Sequence, residues 1–132
     1  MQASCNVCKR ADAIIMNKLF RKIFPDKEFR EFRKMHRRHR KELIKLAKET
    51  AEYDWCWLHQ MVMLQIKQMH EYYSAGDNVW QTDETRLPII KELKHVLDLE
   101  DERDNTYDSV KEQELLEDIY EYIGKNIQNW WD

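Results

Sequence analysis

Glycine and proline are almost missing from this chain: Gly76, Gly124, Pro25 and Pro88 are all that its 132 residues contain. A chain so poor in turn and bulge residues has little means of building a β-rich fold, and long helices joined by short connections are what remains. One hydrophobic core is the default at this length, because such a domain buries roughly two thirds of the surface its unfolded chain exposes. The expectation is an all-α fold: a single five-helix, bundle-like domain over 1–132.

Apolar spacing locates the helices. Ile14, Ile15, Leu19, Phe20 and Ile23 mark a first helix over 9–24 that Pro25 ends. Asp26 can cap a second over 27–50, on which Phe29, Phe32, His36, His39, Leu43, Leu46 and Thr50 form a heptad seam. The third, 54–74, with Asp54 as its cap, is apolar nearly all round from Trp55 to Met69, which predicts a central position. A fourth starts at Thr82 or Thr85 and carries Leu87, Ile90, Leu93 and Leu97. It ends near Leu99, an acidic loop covers 100–108, and Ser109 with Glu112 makes a capping box for the last helix. That helix lines up Leu116, Ile119, Tyr120, Ile123, Ile127, Trp130 and Trp131. The Trp130–Trp131 pair is expected to dock on the core, since an untethered terminus frays.

Charge divides the helices into two groups. Residues 1–50 hold 15 Lys/Arg against 6 Asp/Glu, and residues 51–132 hold 7 against 19, so net charges of +9 and −12 lie behind a total of −3. The predicted organisation follows: 1–8 either disordered or tied down by a metal, 9–50 a basic helical hairpin, and 51–132 an acidic three-helix core. The cations of the second helix, Arg30, Arg33, Lys34, Arg37, Arg38, Arg40, Lys41 and Lys45, sit off the seam. A surface of this kind suits a nucleic-acid backbone or an acidic protein surface, or it docks on the chain's own acidic half. No aromatic residues interleave with the outer cations, so stacking on bases is not indicated.

One constellation has metal-ligand chemistry. Cys5 and Cys8 stand two residues apart, as two thiolates of a tetrahedral zinc site do, and His36 with His39 would complete the set. The histidine gap is shorter than usual, and the plain alternative is two free thiols and two seam histidines. Zinc is therefore the one cofactor considered, and none is the default. Glu92 and His95 have the Glu-x-x-His spacing of di-iron bundles, but no second copy exists, and they read as residues of a solvated face. His59 reads as a hydrogen-bonded core histidine. No nucleophile set and no phosphate-binding glycine loop is present, and the expectation is a protein without catalytic activity. Three cysteines without framework spacing, and no apolar leader before them, point to a reducing cytoplasm. The longest apolar stretch, Trp55 to Ile66, has 12 residues, whereas a membrane span needs about twenty. No membrane association is expected.

The landmarks Tyr53-Asp54-Trp55, Met69-His70-Glu71-Tyr72-Tyr73, Gly76-Asp77-Asn78-Val79-Trp80, Thr85-Arg86-Leu87 and the closing Trp130-Trp131-Asp132 resemble those of small tailed-bacteriophage proteins of uncharacterised function that end in Trp-Trp-Asp. The likeness covers about residues 53–132. It implies an origin in an infected bacterial cytoplasm and an inhibitor or adaptor that acts by binding, and it carries over no site residues. The function expected is a non-enzymatic phage accessory protein that binds a host or phage macromolecule through the basic face of 30–48. The alternative is an assembly module, a homo-oligomer joined through its basic and acidic halves and supported by zinc.

Overall fold

The computed structural model describes residues 27–49, 54–75 and 82–130, and within them every regular element is helical. Four α-helices follow one another: α1, Lys27–Glu49; α2, Trp55–Ser74; α3, Asp83–Asp104; and α4, Ser109–Asn126, which runs into a 3₁₀ turn, Ile127–Asn129. The predicted helix over 9–24, the segment 1–8 and Trp131 lie outside the described residues. By its internal contacts the chain divides into two units, Met1–Arg38 and His39–Asp132. No helix among the described residues is long and apolar enough to cross a membrane.

The core belongs to α2, α3 and α4. Ile66 and Tyr73 of α2 meet Ile89, Leu93 and Val96 of α3, Ile119 and Ile123 of α4, and Trp130 beyond it. These helices run antiparallel: His59 near the start of α2 meets Glu100 near the end of α3, and Arg103 meets Glu112 across the short turn into α4. At the far end the indole Nε1–H of Trp130 donates to Glu92 at 2.8 Å, so the docking expected of this tryptophan is observed. Glu92 thus serves the core, and its predicted neighbour in spacing, His95, lies against the Tyr122 ring at 4.4 Å.

Several boundaries and faces differ from the sequence expectation, each for a physical reason. On α1 the buried positions are Met35 and His39, with Leu43 and Leu46 half-buried, while Phe32 and His36 are exposed and contact each other edge to face. A straight helix drifts about 20° per heptad from a strict seven-residue repeat, so a seam drawn through 32 and 36 leaves the buried line. On α2 the cap is as expected, with Asp54 accepting from the Trp57 amide at 2.9 Å. The helix lies between α1, reached through Gln68 and Glu71, and α3, yet it is not buried all round: Trp55 and Leu58 are 59% and 58% exposed. The completely buried side chains are Leu93, Val96 and Ile119, on α3 and α4.

α3 extends five residues past Leu99, and its inner stripe is Ile89, Leu93 and Val96 continued by Glu100 and Arg103. Of the predicted stripe, Leu93 is fully buried, Ile90 and Leu97 pack half-buried against the core, and Leu87 is exposed. The acidic loop shrinks to 105–108 because Glu100, Glu102 and Arg103 are good helix formers, Glu100 and Arg103 are tied to each other and to His59, and Arg103 favours the negative end of the helix dipole. The cap of α4 is Asp108 rather than Ser109: its carboxylate accepts from the amides of Val110 and Lys111. Glu112, cast as the capping-box partner, is drawn to Arg103 instead.

Candidate functional site

Two surfaces carry chemistry. The first is the outer face of α1. Arg30, Lys34, Arg37, Arg38, Arg40, Lys41 and Lys45 are exposed, and Arg33 is half-buried. Between Arg30 and Lys45 the helix advances about 22 Å at 1.5 Å per residue, long enough to follow several phosphates. Lys34 pairs with Glu31 at 2.9 Å and Lys45 with Glu49 at 3.8 Å, and Arg33 and Arg38 are already engaged. Arg37, Arg40 and Lys41 make no ion pair among the described residues. On the opposite side of the helix His39 sits 3.0 Å from Glu71, and Gln68 donates to the His39 carbonyl and to Glu42. These three bonds fix α1 from His39 onward on α2, where Arg40 and Lys41 are exposed.

The second surface is a cleft of about 750 Å³ where the end of α1, the start of α2, the end of α3 and the start of α4 converge. Its wall is apolar at Leu46, Trp55, Met63 and Leu64, and it carries five carboxylates, Glu42, Glu49, Glu100, Asp104 and Glu112, against two cations, Lys45 and Arg103. A buried ionic network forms the base. His59, 4% exposed, places Nδ1 at 2.8 Å from the Tyr120 hydroxyl and Nε2 at 2.8 Å from Glu100. Arg103 clamps the same carboxylate with two bonds of 2.9 and 2.7 Å and reaches Glu112 with its other Nη.

Burial alone would push the Glu100 carboxyl up, but the bonds from Arg103 and His59, with their charges, outweigh it and hold its pKa below the ordinary value. An ionised Glu100 only accepts, so the His59 Nε2–H donates to it, while Nδ1 shares a hydrogen bond with the Tyr120 hydroxyl. The Arg103 guanidinium pKa is raised, first by its bond to Glu100. Tyr120 is pushed up by burial and by the Glu100 charge, so its hydroxyl stays a donor.

This arrangement bears on nucleophilic chemistry. Cys56 and His59 are three residues apart on α2 and both line the cleft, as a thiol and its base would. Both ring nitrogens of His59 are, however, committed at 2.8 Å, to Glu100 and Tyr120, so the imidazole is a structural hub rather than a base serving Cys56. The reading of His59 as a hydrogen-bonded core histidine therefore holds. Glu100, Arg103 and Tyr120 were not singled out in the sequence. Only the i, i+3 spacing of Glu100 and Arg103 was legible there, and nothing local ties either to a tyrosine 17 residues beyond Arg103.

Of the zinc constellation, Cys5 and Cys8 lie outside the described residues. His36 is exposed beside Phe32, and His39 is buried and turned to Glu71. Among the described residues no group of three His, Cys, Asp or Glu side chains is placed to hold a metal ion. Comparisons with protein-family models, with curated proteins and with solved structures give no match to this chain.

Proposed function

We propose that the chain is a non-enzymatic binding protein that engages a nucleic-acid backbone through the outer face of α1. The observation that carries this reading is the state of Arg37, Arg40 and Lys41: exposed, on one helix, and without an ion pair among the described residues in a chain whose net charge is negative. Neutralising phosphates with such side chains releases condensed counterions, and that release drives binding without reading sequence. The closed hydrogen bonding of His59 supports a binding role over a catalytic one. The likeness of residues 53–132 to small tailed-phage proteins is the ground for placing the partner in an infected bacterium, with the chain acting as an accessory factor.

The test is retention of nucleic acid on the tagged chain in a bacterial extract, with and without nuclease. Wild type is compared with a variant carrying Arg37→Glu, Arg40→Glu and Lys41→Glu. The wild type retains nuclease-sensitive material and the variant does not. Retention that survives nuclease and is lost in the variant assigns the face to an acidic protein surface instead, and equal retention by both chains removes α1 as the binding element.

A further inference from the structure

One feature of α1 is left unused by phosphate binding. Ile44 is 55% exposed, and its helical neighbours at i−4, i−3 and i+4 are the exposed cations Arg40, Lys41 and Lys48. This face is therefore an apolar knob ringed by three positive charges. A phosphate backbone has use for the charges and none for the isoleucine. The cleft has the opposite character: an apolar wall that includes Trp55, itself 59% exposed, in a lining of five carboxylates against two cations, a surplus of three negative charges, with Glu49, Asp104 and Glu112 at its exposed edge.

We propose that the cleft receives the outer face of α1 from a second copy of this chain. Ile44 enters against Trp55, Met63 and Leu64, while Arg40, Lys41 and Lys48 meet the surplus carboxylates of the rim. Shape and sign both favour this occupant: charges at the edge set register and speed encounter, and the desolvated aliphatic and indole groups at the centre supply most of the affinity. Each copy owns one knob and one cleft, so a two-fold pair carries the contact twice. The proposal stands independently of nucleic-acid binding, but the two are linked, since both draw on Arg40 and Lys41. A polyanion bound to α1 competes with pairing.

The experiment is sedimentation velocity of the full chain under reducing conditions, at low and at high salt. The wild type forms a dimer at low salt that dissociates as salt is raised. Ile44→Ser, at an exposed position and without change of charge, weakens pairing about tenfold, as loss of a central interface anchor does. Cys56→Arg, which sets a cation into the cleft at an exposed position, abolishes pairing. Both variants keep the wild-type melting temperature, and Cys56→Arg binds duplex DNA as the wild type does, which separates this surface from the nucleic-acid reading. A wild type that remains monomeric at low salt overturns the proposal, also if a basic amphipathic peptide then fills the cleft, and so does a dimer indifferent to both substitutions.

Discussion

Arg40 and Arg103 are the same side chain put to opposite uses. Arg103 has 12% of its side chain exposed and is surrounded by Glu100, Asp104 and Glu112 within 3.5 Å. Arg40 stands in solvent and makes no ion pair among the described residues. Burying an ion costs several kcal/mol, which only close, well-directed partners repay, so Arg103 is committed to its network and has little left for a partner. Arg37, Arg40 and Lys41 carry no such debt. Charge in the acidic half is thus partly architecture, and the charge of these three side chains is available.

The comparison predicts a graded set of effects. Arg103→Leu should cost the most, about 3 kcal/mol in urea denaturation, because it leaves Glu100 buried beside His59 without its guanidinium. A loss below about 0.5 kcal/mol would place Arg103 with the surface charges and break the distinction. Glu100→Gln comes next, at about 2 kcal/mol near neutral pH, since a charged acceptor of three bonds is lost. Its effect depends on pH with a defined sign. The folded-state pKa of Glu100 lies below its ordinary value of 4.5, so its stabilisation is present above that value and is lost as pH falls through the folded pKa. The gap between wild type and Glu100→Gln should therefore narrow as pH falls below 4.5 and through the folded pKa, and a gap that stays constant would show that Glu100 is not held ionised.

Tyr120→Phe removes the hydroxyl bonded to His59 Nδ1 while keeping the ring, and should cost about 1 kcal/mol. No change would mean that solvent replaces the hydroxyl at Nδ1 and that Glu100 alone orients the ring. The smallest effect on stability belongs to the combined Arg37→Glu, Arg40→Glu and Lys41→Glu variant, within about 0.5 kcal/mol of wild type, as expected for surface positions. A large loss would show that these cations hold the fold together.

What the sequence made legible follows the same division. Helical class, the span of α2 with its Asp54 cap, the docking of Trp130 and the core role of His59 all rest on local patterns: periodicity, capping chemistry and a lone histidine among apolar neighbours. The exposure of the cations along α1 was legible too, because which side of a helix faces solvent is a property of that helix's own pattern. The cleft was not. Its base joins α2, α3 and α4 through residues 41 and 61 positions from His59. On α3 the inner stripe also changes from Ile89, Leu93 and Val96 to Glu100 and Arg103, so a pattern built on apolar residues stops at Leu99 and takes the rest for a loop. At the start of α4 adjacent Asp108 and Ser109 both have capping chemistry, and spacing alone does not choose between them.

The most direct test of the central claim is a salt titration of duplex DNA binding, followed by the anisotropy of a short labelled duplex. With three to five phosphates neutralised by α1, the slope of log affinity against log salt should be about −3 to −4.5 for the wild type. The Arg37→Glu, Arg40→Glu and Lys41→Glu variant should show no measurable binding at the same salt while melting at the wild-type temperature. A slope near zero, or a variant that binds as the wild type does, would contradict the assignment of α1 as the binding face.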